Sequence, residues 1–127
     1  MRKAYVFLPL LILIACTPKS PNLTQREAML INSQDILQWA EDSRRDVLTA
    51  VRELRDSGAI SAATVERFRA LGKEMERVQR TAVEAQRSYI LSTTPLNENR
   101  FLAALEEVKR LIIELQRLWQ PLKEANQ

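Results

Sequence analysis

From Leu23 onwards, apolar residues return in steps of three and four, the spacing that keeps side chains on one face of an α-helix. Phe101, Leu105, Val108, Ile112, Leu115, Trp119 and Leu122 hold this rhythm without a break, as do Phe68, Leu71, Met75, Val78, Ala82, Ala85 and Tyr89. In the first segment, Leu23, Leu30, Leu37 and Val51 lie on one seam and Ala40, Val47 and Leu54 on its neighbour. No alternating, period-two run competes with them. The pattern predicts helices over about 24–57, 61–93 and 95–124.

Their ends are marked by local chemistry. Thr24-Gln25-Arg26-Glu27 reads as a capping box, and Gly58 as the left-handed residue that closes the first helix. Ser61 caps the second helix, with Ile60 and Val65 placed as a hydrophobic staple, while Thr94-Pro95 supplies an N-cap and a first-turn proline. The short connections force antiparallel neighbours. The expected fold is all-α: an antiparallel, up-down-up three-helix bundle with coiled-coil-like seams over residues 23–127.

Folding the chain back at Gly58 and near Pro95 predicts which residues share a layer. Val51 falls with Phe68 and Leu122, Val47 with Leu71 and Trp119, and Arg44 with Met75 and Leu115. Ala40 falls with Val78 and Ile112, Leu37 with Ala82 and Val108, Ser33 with Ala85 and Leu105, and Leu30 with Tyr89 and Phe101. At ~1.5 Å per residue the helices make a rod roughly 45 to 50 Å long. Outward charges are spaced for local pairing, as in Arg52 with Asp56, Glu76 with Arg80 and Glu106 with Arg110.

The start of the chain follows a different pattern. Arg2 and Lys3 precede an apolar run from Ala4 to Ile14, broken only by Pro9, which is short of the ~20 residues that cross a bilayer. Ala15 and the single cysteine, Cys16, follow. Leu13-Ile14-Ala15-Cys16 resembles the lipobox of bacterial lipoproteins. The resemblance implies a signal peptide over 1–15, diacylglyceryl transfer to the Cys16 sulfur, cleavage before Cys16 and a further acyl chain on the new amino group. It implies a bacterial cell-envelope protein anchored in a membrane through Cys16. Thr17, where an Asp would signal retention in the inner membrane, points to the outer membrane facing the periplasm in a diderm cell. Two or more acyl chains hold firmly where one anchors marginally, at ~0.8 kcal/mol per buried methylene. Residues 17–22, with Pro18 and Pro21, would be a tether of roughly 20 Å at ~3.3 to 3.6 Å per extended residue.

Processing changes the charge argument. The chain has 19 Lys and Arg against 16 Asp and Glu, and Arg2 and Lys3 leave with the leader, so 17 face 16. A near-neutral domain gives no electrostatic case for nucleic-acid binding.

Candidate chemistry is sparse. The chain has no His, and an acylated Cys16 leaves no thiol for catalysis or zinc. No Gly-rich phosphate loop, nucleophile elbow or haem-attachment motif is present. The reading assigns no catalytic residue, no metal ligand and no cofactor.

Three features stand out from the helix pattern. Arg44 occupies a seam position, as a recognition or register-setting charge or as a side chain that snorkels outward or pairs with a carboxylate such as Glu74. Trp39 lies roughly opposite the Leu37 seam, as an interface anchor or leaning over the bundle edge. Leu102, Leu111, Ile113 and Leu118 widen the apolar face of the third helix; Leu111 and Leu118 read as core and Ile113 as the exposed partner contact. The expected function is a non-catalytic structural or interaction lipoprotein that meets another envelope protein or a second copy of itself. The alternative is a carrier or chaperone holding an apolar molecule among Met75, Ala82 and Ala85.

Overall fold

A computed structural model describes residues 25–126. The capping box at Thr24, the lipobox, Cys16, the tether and the seam position Leu23 lie outside the described residues. Three helices follow one another, α1 (Gln25–Asp56), α2 (Ala62–Leu91) and α3 (Pro95–Ala125), and form an all-α three-helix bundle. The chain divides into a segment ending at Asn32, whose described part is the first two turns of α1, and a compact unit, Ser33–Gln127, with which the rest of this description is concerned.

The helix ends follow from the residues that mark them. Gly58 adopts φ 76°. The Ala59 amide then donates to the Leu54 carbonyl at 2.9 Å and the Gly58 amide to that of Arg55 at 3.0 Å, the paired bonds of a Schellman closure. Ser61 accepts from the Thr64 amide at 3.2 Å and Thr94 from the Asn97 amide at 3.2 Å, with Pro95 in the first turn of α3. α2 stops at Leu91, short of the expected Thr93, because Ser92 is already extended and Thr94 caps the next helix. α3 runs through Pro121 to Ala125.

The predicted seams form the core. Leu37, Ala40, Val47 and Val51 of α1 are buried with Phe68, Leu71, Met75, Val78, Ala82 and Tyr89 of α2 and Phe101, Leu105, Val108, Ile112 and Leu115 of α3. Tyr89 and Phe101, expected in one layer, stack with ring centroids 6.0 Å apart. Leu111 joins the core, whereas Trp119, Leu122 and Leu54 are only half-buried, towards the open end of the bundle.

One layer differs. Gln86, not Ala85, takes the buried position beside Ser33, donating to its hydroxyl at 3.0 Å. Ala82 to Tyr89 can be spanned in steps of three then four or four then three, and the amide side chain gives the second option a partner that Ala85 lacks.

α1 and α2 approach closely at Gly72. A Cβ there would lie 2.9 Å from the Leu48 Cδ1, so the missing side chain is what lets Leu48 rest on α2.

Candidate interaction surface

Arg44 sits in the seam but not in the core. Its side chain is 16% exposed, with the hydrocarbon stem covered and the guanidinium carried to the α1/α2 edge. There Nη1 donates to Glu76 of α2 at 2.8 Å and Nη2 donates to both carboxylate oxygens of Glu41 at 2.6 and 2.8 Å. The expected partner, Glu74, is instead bound to Arg77, one helical turn on. Glu76 meets Arg44 because it projects towards α1 on the same edge as Gly72, while Glu74 faces α3. Arg44 chiefly holds the Glu41 carboxyl below the usual range, with Gln79 and Arg45 adding to the effect. Arg44 Nε and Gln79 Oε1 are buried without a hydrogen-bond partner among the described residues.

The other ion pairs also differ from the i,i+4 pairs expected. Asp56 pairs with Arg55, Glu106 with Lys109, and Arg110 with both Glu107 and Glu114. Across the outer α2/α3 groove, hydrogen bonding from Arg77 holds the Glu74 carboxyl low, with Arg110 of α3 contributing. Glu107, first through its hydrogen bond, raises Arg110. These side chains are well solvated, so water and salt screen each pair.

This charged band divides the α2/α3 groove into two open stretches of about 590 and 550 Å³, the first floored by Val78, Ala85 and Ala104, the second by Leu71 and Leu111. A third opening, of about 230 Å³, lies between α1 and α2 over Leu48, Val51, Val65 and Gly72. Of the positions considered for a carrier, Met75 and Ala82 are fully covered and Ala85 is half-buried in the groove floor. Among the described residues no three carboxylates gather to hold a metal ion, and no helix is long and apolar enough to cross a membrane.

Trp39 is 42% exposed and Ile113 48%. At ~100° per residue, Trp39 falls opposite the stripe of Glu41, Arg44 and Leu48 that meets α2. On α3, the same spacing puts Leu102 and Ile113 away from the residues that line the α2 groove. Both candidates therefore stand on flanks turned away from α2, on the side of the unit built by α1 and α3. Leu102 is exposed and Leu118 half-buried.

The sequence pattern passed over another exposed group. Ile90, Leu91 and Leu96 are open to solvent around the α2–α3 loop, Leu91 at 80%. Their signal was the absence of charge from Ser88 to Asn97, easily read as a mere turn.

No protein-family model, curated protein or solved structure matches this chain.

Proposed function

We propose that this chain is a lipid-anchored lipoprotein of the bacterial cell envelope, acting by protein contact and not by catalysis. The observation that carries the reading is the ordered leader: Arg2 and Lys3, the Ala4–Ile14 apolar run, and Leu13-Ile14-Ala15-Cys16. Acyl chains at Cys16 hold the protein at a bilayer, the outer membrane facing the periplasm in a diderm cell. The helical unit presents the flanks of α1 and α3, with Trp39 and Ile113 as contacts, to another envelope protein or to a second copy. Exposed aromatic and aliphatic side chains on a rigid helix face suit such an interface.

Two measurements test this. The mass of the mature protein should show cleavage before Cys16 and added acyl chains, and Cys16→Ser should abolish both; a Cys16→Ser protein that remained in the membrane fraction at its cleaved size would refute anchoring. Photocrosslinkers at Trp39 and Ile113 should capture the same partner in intact envelopes, while one at Arg67 should not. Equal capture from all three positions would refute the assigned face.

A further inference from the structure

The two ends of the Ser33–Gln127 unit differ in chemistry. At the α1–α2 turn, Ser57, Gly58 and Ala59 are small and lie next to Arg55 and Asp56. At the α2–α3 turn, Ile90, Leu91 and Leu96 project into solvent around the hydroxyls of Ser92, Thr93 and Thr94. The loop backbone is held firmly under these side chains. Asn97 Nδ2 donates to the Ser92 carbonyl at 2.8 Å, and the Thr93 hydroxyl to that of Tyr89 at 3.2 Å. Tyr89 and Phe101 stack beneath. The exposed aliphatics therefore sit on a built tip and have no room to fold inward.

We propose that this tip is a lipid-contacting surface that dips into the boundary between headgroups and acyl chains of a bilayer. Three observations select a lipid surface as the occupant. The tip carries exposed aliphatics and hydroxyls with no charge from Ser88 to Asn97, which suits an interface that is apolar below and wet above. Arg87 and Arg100 stand about one turn back from it without an ion pair among the described residues, placed to meet anionic headgroups; Glu98 on α3 and Glu84, one turn before Arg87 on α2, are the carboxylates that neighbour them along these two helices. Ser33, where the chain enters this unit, is bonded to Gln86, so the chain arrives at the half of the unit that carries this tip, not the half that carries Gly58. The inference deepens the lipid-anchor reading and rests on it for which bilayer is met: the anchored domain touches its own membrane a second time.

The test is hydrogen exchange on the full-length mature protein with and without vesicles of phosphatidylethanolamine and phosphatidylglycerol. Amides of 88–97 should exchange at least about tenfold more slowly on vesicles, those of 57–61 should not change, and the slowing should vanish in a Leu91→Asp/Leu96→Asp variant. These side chains are exposed, so the variant keeps the fold, which its exchange elsewhere verifies. Unchanged exchange at 88–97 in protein that floats with the vesicles overturns the proposal, as does equal slowing in the variant. The mass at Cys16 in the same sample scores the anchor separately. An acylated Cys16 with an unprotected tip overturns only the tip, and a protected tip with unmodified Cys16 supports the tip and overturns only the anchor. Protein that does not bind vesicles at all overturns it as well.

Discussion

Gln86 donates a 3.0 Å hydrogen bond to the Ser33 hydroxyl, joining α2 to α1 through two buried polar residues in an otherwise apolar stack. A buried donor left without its acceptor costs more than the bond contributes, so the pair enforces one alignment of the two helices. Ser33→Ala alone, which leaves the buried Gln86 amide without its acceptor, should destabilise by about 1–2 kcal/mol, while Ser33→Ala with Gln86→Leu should lie close to the parent. Urea unfolding of the four members of this cycle measures the coupling. A coupling indistinguishable from zero would mean the bond does not set the register.

Gly72 is a poor helix former held in place by contact. Gly72→Ala gains about 1 kcal/mol of helix propensity, offset by the 2.9 Å approach of the new Cβ to Leu48 Cδ1. Leu48 is half-buried and its tip can swing aside, so the net change in the parent should be well under 1 kcal/mol. In a Leu48→Ala background the full gain should appear. An identical effect in both backgrounds would show that Leu48 is not what keeps position 72 a glycine.

Arg44 has its stem buried, its Nε without a partner and its two carboxylates largely in water. Arg44→Leu keeps the packing, removes the orphaned donor and loses two ion pairs of ~0.2–1 kcal/mol each. Stability should be unchanged or raised by about 1 kcal/mol, whereas Arg44→Ala should lower it by about 1–2 kcal/mol through lost packing. A loss in Arg44→Leu as large as in Arg44→Ala would show that the charge itself supports the bundle.

Acid should weaken this edge in a defined direction. Glu41 has its folded pKa below the ordinary 4.5, chiefly through Arg44, so its contribution is complete above that value and fades as pH falls through the lower folded pKa. Thermal melts from pH 6 down to pH 3 should therefore show a shallower decline for Glu41→Gln than for the parent. Parallel curves would separate Glu41 from the acid response.

The three helices, their caps at Ser61 and Thr94, the closure at Gly58 and nearly all of the core were legible in the order of residues. Each rests on near neighbours: a hydroxyl three residues from an amide, a glycine free to take positive φ, apolar side chains one turn apart. What tertiary structure decided is which of two equally spaced residues faces a neighbour. Periodicity allowed Ala85 or Gln86 beside Ser33, and Glu74 or Glu76 beside Arg44. The packing of α2 against α1, with Gly72 under Leu48, rotates Gln86 and Glu76 towards α1 and leaves Glu74 and Ala85 on the α3 side. Exposure was decided there too: Ile90, Leu91 and Leu96 look no different along the chain from residues that bury, but the packed core takes Tyr89 and Phe101 and leaves these three in solvent.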